Sequence, residues 1–141
     1  RYHLEECLIK HYENVSTIRL PALFGTGLKK NVIFDFLNNR PLDGLNANSK
    51  FQWFDLDSLS EIIDAVDFHG IRELNVCSYP LSVQELLNYV GVEFNNNCAV
   101  SPAVKYDITS IHANKFNNIN YLYDKQKTLE SIGLFCKNWK L

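Results

Sequence analysis

Segments with the apolar spacing of a helix alternate along this chain with short runs of strand-forming residues. The strand runs are rich in β-branched and aromatic residues and lie at 15–20, 50–56 and 73–78. Apolar residues at helical spacing predict helices at 3–13, 29–37, after 58, after 82 and after 124. The order helix, strand, helix, strand, helix, strand, helix is an α/β pattern, in which helices cover a sheet.

Polar residues and glycines give the boundaries of several of these elements. Ser58 with Glu61, and Ser82 with Glu85, have the spacing of capping boxes at two helix starts. Asp124 is expected to cap the last helix. Loops are predicted at 21–27 and 38–49, a short fourth strand at 104–108 and irregular structure at 109–121. Further boundary signals are the glycines that end two helices, Gly70 and Gly91, and a hydrophobic staple of Leu81 and Leu86.

The fold class predicted from these elements is α/β, with three to four strands and about five helices. An open parallel sheet normally builds its nucleotide site on an early strand, glycine loop and helix, and the sequence contains no such unit. The chain begins at Arg1 and has no methionine. We therefore expect residues 1–141 to be a single domain or fragment of a longer protein.

Charge and cysteine content exclude several classes of function. A net charge of −2 gives no electrostatic basis for binding nucleic acid or an anionic membrane. The cysteines form no C-x-x-C pair and the histidines share no ligand spacing, so no metal site is predicted. Cys7 and Cys77 stand in apolar stretches, where free cysteine behaves as a small buried hydrophobe. We therefore expect reduced thiols and a cytoplasmic location.

Three segments in succession resemble the later half of a known enzyme family. They are STIRLPALFGTGLKKNVIFDFL, FQWFDLDSLSEIIDAV and ELNVCSYPLSVQELLNYVG. Their order and spacing are similar to those of extended short-chain dehydrogenase/reductases, the NAD-dependent epimerase/dehydratase family. The resemblance covers residues 1–91 well and the tail loosely. It implies that this chain is the C-terminal, Rossmann-like part of such an enzyme and that the cofactor-binding N-terminal half is absent.

The resemblance also implies a catalytic pair, Tyr-x-x-x-Lys, in which the lysine lowers the pKa of the tyrosine that acts as general acid and base. Tyr2 is followed four residues later by Glu6, so the motif does not match there. In the other register Arg1 occupies the lysine position. The loop Pro21, Ala22 and Leu23 would flank the nicotinamide of NAD or NADP, although many relatives have asparagine where Ala22 stands.

Four residues are candidates for binding a sugar diphosphate. Lys29, Lys30 and Asn31 precede a predicted helix and would aim its N-terminus and two positive charges at phosphates. Two solvated lysines are an equally good interpretation of that pair. Lys50 stands near a position where relatives use a basic residue for the diphosphate. The segment Gly25–Thr26–Gly27 fits neither of the phosphate-binding spacings G-x-x-x-x-G-K-[ST] and G-x-G-x-x-G. A turn with positive φ explains the two glycines better.

Two functions follow as hypotheses. The first is the substrate-binding portion of an NAD(P)-dependent nucleotide-sugar epimerase, dehydratase or reductase, inactive by itself, with no cofactor bound to these residues and with homodimerisation through exposed edges. The second is a non-catalytic binding domain that retains the fold. An acyl- or phosphoryl-transfer enzyme of another family would need a Ser/His/Asp arrangement, and it is disfavoured because no G-x-S-x-G elbow is present.

Overall fold

A computed structural model describes residues 2–94 and 101–139. These residues form five α-helices and six short strands. The helices are α1 (Tyr2–His11), α2 (Val32–Leu37), α3 (Leu59–His69), α4 (Val83–Tyr89) and α5 (Lys125–Asn138). The strands are β1 (Thr17–Arg19), β2 (Ala22–Phe24), β3 (Lys50–Phe51), β4 (Trp53–Asp55), β5 (Glu73–Asn75) and β6 (Leu81–Ser82). The predicted α/β class is confirmed.

The strands of the described residues form three pairs. β1 and β5 are parallel, with Ile18 opposite Leu74, and β2 and β4 are parallel, with Leu23 opposite Phe54. β3 and β6 are antiparallel, with Lys50 opposite Ser82. Parallel neighbours need a crossover connection, and the helices between the strands supply it.

Two apolar clusters fill the space between strands and helices. The first joins β4 and β6 to helices α2, α4 and α5, and its fully buried members include Ile33, Leu81, Leu86 and Ile132. The second joins β4, α3 and β5 around Phe54, Ile62 and Leu74. Trp53 and Phe54 are neighbours on β4 and point to opposite faces, so this one strand contributes to both clusters.

The helix boundaries predicted from caps are partly confirmed. The Ser82–Glu85 capping box is present, Asp124 accepts from the Lys127 N–H at 2.8 Å, and Gly70 ends α3 in the left-handed conformation. The Ser58–Glu61 box is wrong. Asp55 instead accepts a hydrogen bond from the Asp57 N–H and starts a 3₁₀ turn at Leu56–Ser58. Because Ser58 is part of that turn, it does not have the extended backbone of a helix cap.

Several strand predictions need correction. The predicted loop 21–27 contains β2, because Ala22 to Phe24 pair with β4. The predicted strand 50–56 is split into β3 and β4, which belong to different sheets. The predicted strand 104–108 forms only one isolated bridge, between Lys105 and Lys50, and a 3₁₀ turn lies within the irregular region at Ala113–Phe116. Tertiary pairing decided each of these cases, and local sequence does not encode it.

Helix α1 presents the opposite face from the one its sequence indicates. Leu4 and Leu8 are exposed, and so is Cys7, which corrects the expectation that its thiol is buried. The Glu5 side chain is only 16% exposed because it pairs with Arg19 on β1. Cys77, on the other hand, is buried as predicted.

Candidate functional site

The most chemically distinctive surface lies beside β3, where the exposed tail segment, residues 101–109, runs next to the strand. The Lys50 N–H donates to the carbonyl of Val104 at 2.8 Å, and the Tyr106 N–H donates to the carbonyl of Lys50 at 3.0 Å. Lys105 is therefore directly opposite Lys50 in a parallel bridge. Directly opposite residues project to the same face, so the two lysine side chains leave the backbone side by side.

These two lysines are exposed and have no carboxylate partner among the described residues. Like charges opposite each other on adjacent strands repel, which makes this pair a cost to the fold in the absence of an anion. The other face of the bridge is aromatic, because Phe51 and Tyr106 stack with ring centroids 5.8 Å apart. The arrangement is thus a pair of cations on a backbone anchored by hydrogen bonds and aromatic packing.

Glu85 lies on α4, just after β6, the strand that pairs with β3, and its charge is already compensated. One carboxylate oxygen accepts from Lys125, and the other accepts from the N–H and the hydroxyl of Ser82, both at 2.8 Å. The Lys125 ammonium, with these bonds, lowers the pKa of Glu85 to about 2. Glu85 remains ionised at neutral pH but is committed to Lys125.

Sequence reasoning selected Lys50 and missed Lys105. The local pattern around Lys105 predicts a short strand at 104–108, but it does not indicate which strand that segment pairs with. The pairing joins residues 55 positions apart, so only the tertiary structure brings the two together.

Lys29, Lys30 and Asn31 lie before α2. The two lysines are exposed, and the described contacts do not join either of them to Lys50. Asn31 is occupied within the fold: its Nδ2 donates to the carbonyl of Leu23 at 2.8 Å, and its Oδ1 accepts from the Phe34 N–H at 3.1 Å. Its side chain therefore caps α2 and ties the helix to β2.

Pro21, Ala22 and Leu23 border an open groove of about 410 Å³ between α1 and β1. Pro21 and Leu23 line the groove, whereas Ala22 is opposite Trp53 on β4 and packs against the first apolar cluster. Arg1, the candidate for the lysine position, lies outside the described residues.

Arg19 organises one end of this groove, and sequence reasoning gave it no such role. Its guanidinium donates to Glu5 on α1 and to Glu73 on β5, the latter at 3.0 Å. These hydrogen bonds raise the pKa of Arg19 above its usual value, and the bond to Glu5 contributes most. The network holds α1 against the β1–β5 pair by charge rather than by apolar burial.

The glycine loop after β2 is closed by an acidic side chain. The Thr26 N–H and hydroxyl donate to the Asp57 carboxylate at 3.2 and 3.1 Å. A phosphate loop offers its backbone N–H groups to an anion. This one is used by Asp57, and Gly25 and Gly27 have positive φ, as a turn requires.

No cluster of three or more histidine, cysteine, aspartate or glutamate side chains is arranged to hold a metal ion in the part of the chain that the structure describes. None of the described helices is long and apolar enough to cross a membrane.

Several solved structures have a similar fold. dTDP-glucose 4,6-dehydratase from Bacillus anthracis, in complex with NAD, matches with a TM-score of 0.66 at 16% identity, over 97% of this chain and 49% of that one. UDP-N-acetylglucosamine 4-epimerase from Bacillus cereus matches with a TM-score of 0.59 at 15% identity, over 96% and 53%. L-Threonine 3-dehydrogenase from Trypanosoma brucei matches with a TM-score of 0.54 at 14% identity, over 96% and 48%.

The chain therefore has the fold of the C-terminal half of Rossmann-like extended short-chain dehydrogenase/reductases, as the sequence resemblance predicted. It spans about half the length of each of these matched chains. At such low identities the likeness concerns the fold. No protein-family model matches the sequence, and no curated protein matches it either.

Proposed function

We propose that this chain is the substrate-binding portion of an NAD(P)-dependent nucleotide-sugar epimerase/dehydratase-like oxidoreductase, and that Lys50 and Lys105 bind the diphosphate. The observation that carries the proposal is that Lys50 and Lys105 lie side by side on an anchored backbone and have no carboxylate partner within residues 2–94 and 101–139. A diphosphate offers closely spaced oxygens of high negative charge, and charge-assisted hydrogen bonds to it are strong. The fold shared with a dTDP-glucose dehydratase and a UDP-sugar epimerase supports this class of ligand.

The remaining candidates have different strengths as ligand contacts. Lys29 and Lys30 are exposed, so contact with a ligand would require no rearrangement of the core. Asn31 would contribute through the helix start that it caps, because its amide is already bonded to Leu23 and Phe34. A three-turn helix would present a stronger field than the short α2, so the lysine pair is the main anion contact.

Titration of the chain with UDP, followed by calorimetry or by NMR, tests the diphosphate site. We expect Lys50→Ala and Lys105→Ala each to weaken binding about tenfold, which corresponds to about 1.4 kcal/mol. Lys115→Ala is the matched control, since it removes an exposed lysine from the 3₁₀ turn at Ala113–Phe116. Equal affinities for all four proteins would contradict the site.

The catalytic and cofactor functions are proposed for the longer protein. NAD or NADP would bind chiefly to a half of the fold outside these 141 residues, with Pro21, Ala22 and Leu23 near the nicotinamide and Arg1 at the lysine position. We expect no cofactor to bind to the isolated chain and no turnover of UDP- or GDP-sugars with NAD. Catalysis by this chain alone would refute that expectation.

The partners proposed for the protein follow from the same arrangement. Exposed apolar residues on α1, among them Leu4 (64%) and Ile9 (53%), form a surface for another half of the fold or for a second copy. We propose a homodimer for the isolated chain, a cytoplasmic location, and no binding to nucleic acid or membrane.

The alternative is a non-catalytic binding domain that retains the fold. The observation that favours it is Ala22, which stands where many relatives have asparagine, on a strand packed into the core. The coding sequence before Arg1 distinguishes the two. A glycine-rich cofactor motif and a tyrosine three residues before Arg1 would support the enzyme, and their absence would support the binding domain.

A further inference from the structure

Gln52 occupies the point at which one extended segment changes partners. Before it, Lys50 is bonded to the tail residues Val104 and Tyr106. After it, β4 pairs with β2, and the carbonyl of Gln52 itself accepts from the Ala22 N–H at 3.1 Å. The backbone pairing between β3 and the tail therefore stops at Tyr106.

The side chain of Gln52 continues that pairing where the backbone cannot. Its Oε1 accepts from the Ile108 N–H at 2.8 Å, and its Nε2 donates to the Ile108 carbonyl at 2.7 Å. The same Nε2 donates to the carbonyl of Ser78 at 2.8 Å. Both amide hydrogens and the oxygen are thus used, in a residue that is 3% exposed.

The tail segment depends on such bonds because it has no buried side chains to hold it. Residues 101–109 are all exposed, and Ser110 is the first buried residue after them. Other side chains also anchor this segment: the Ser49 hydroxyl accepts from the Val104 N–H at 3.1 Å, and the Tyr121 hydroxyl donates to Asp107 at 2.6 Å. Asn46 Nδ2 donates to the Ser101 carbonyl at 3.0 Å, and the Tyr106 ring packs against Phe51. Of the side-chain anchors that the structure describes, only Gln52 bonds both backbone groups of one residue, and this fixes the register.

We infer that Gln52 is a positioning residue, which sets the register of residues 104–108 and so keeps Lys105 opposite Lys50. The role in ligand binding rests on the diphosphate site proposed above, whereas the register claim stands without it. Two experiments separate these parts.

The first experiment measures register directly and uses no ligand. Opposite residues in a parallel pair have Cα atoms about 5 Å apart, within the range that a disulfide spans. We expect the double variant Lys50→Cys and Lys105→Cys to form that disulfide readily, detected by peptide mass mapping. Adding Gln52→Leu should slow its formation at least tenfold. Adding Tyr121→Phe, which removes a side-chain bond to Asp107 but no bond to the backbone, should slow it much less. An unchanged rate with Gln52→Leu would overturn the inference.

Hydrogen exchange keeps the inference testable if Gln52→Leu fails to fold. Ile108 is exposed, and its N–H is bonded to Gln52 Oε1. In the unaltered chain we expect its amide to exchange at least tenfold more slowly than an unbonded amide of the same sequence. Exchange at the unprotected rate would overturn the inference.

The second experiment tests whether Gln52 acts through Lys105. If it does, the double variant Gln52→Leu/Lys105→Ala binds UDP no more weakly than Lys105→Ala alone. The control double variant Gln52→Leu/Lys115→Ala, in contrast, loses as much affinity for UDP as Gln52→Leu alone. Additive losses at Gln52 and Lys105 would overturn the positioning role. If the unaltered chain does not bind UDP, the proposed function fails, and the disulfide and exchange results still decide the register claim.

Discussion

Glu85 illustrates how far a single residue can be understood from local spacing. Its place three residues after Ser82 predicted a capping box, and the structure contains it. The same carboxylate also accepts from Lys125, which lies 40 residues further along the chain. The cap is a local property that spacing encodes, whereas the ion pair depends on α5 packing beside α4.

The pH dependence of stability should report this ion pair. The pKa of Glu85 is lowered to about 2, below its ordinary value of 4.5, so its contribution is complete above pH 4.5 and is lost as the pH falls towards 2. Glu85→Gln keeps a side chain that fits a capping box and removes the charge. We expect its urea-unfolding free energy to fall less than that of the unaltered chain between pH 5 and 3. Parallel losses would contradict this role.

The thiols should differ in reactivity according to their burial. Cys7 is exposed, Cys77 is 1% exposed, and burial raises the pKa of the Cys136 thiol to about 11. We expect iodoacetamide at pH 8 to label Cys7 at least tenfold faster than Cys77 or Cys136, as measured by peptide mass mapping. Labelling in urea is the control, because unfolding should make the rates similar.

At the scale of elements, the junction of β4 and α3 departs most from local prediction. Ser58 and Glu61 have capping-box spacing, but Asp55 starts a 3₁₀ turn first and also accepts from the Ser131 hydroxyl on α5 at 2.9 Å. The Asp57 carboxylate instead accepts a hydrogen bond from the Thr26 N–H in the glycine loop. The sequence presents several polar residues that are able to cap, and tertiary contacts with α5 and the loop select among them.

Two glycines in that loop should respond differently to substitution. A Cβ at Gly25 would lie 3.2 Å from the Cβ and the backbone nitrogen of Leu56, and its φ is +133°. Gly27 has a φ of +82° and open space around it. We expect Gly25→Ala to lower the unfolding free energy by about 3 kcal/mol and Gly27→Ala by about 1 kcal/mol. Denaturant unfolding measures both, and equal losses would show that the contact with Leu56 is unimportant.

At the scale of the whole molecule, α1 is the element whose environment is least complete. The partly buried side chains described on α1 are Glu5 and Glu6, and its apolar residues Leu4, Leu8 and Ile9 are exposed. The matched structures are about twice as long as this chain. An apolar helix face beside an open groove fits a surface that another part of the fold, or another copy, covers.

Self-association of the isolated chain should therefore depend on α1. We expect concentration-dependent dimers in sedimentation experiments, because the apolar face otherwise remains in water. Ile9→Lys should weaken dimerisation at least tenfold. Phe68→Lys is the control, since Phe68 is 85% exposed and lies on α3 rather than α1. A chain that stays monomeric at high concentration would contradict the prediction.

The sequence by itself determined the α/β class, the helices α3, α4 and α5, the Ser82 and Asp124 caps, and the likeness to the later half of a dehydrogenase fold. These depend on periodicity and on contacts within a few residues, which local spacing encodes. The tertiary structure alone decided that β2 is a strand, that the apolar face of α1 is exposed, and that Lys105 lies opposite Lys50. Each of these depends on pairing between distant segments, whose partners no local pattern specifies.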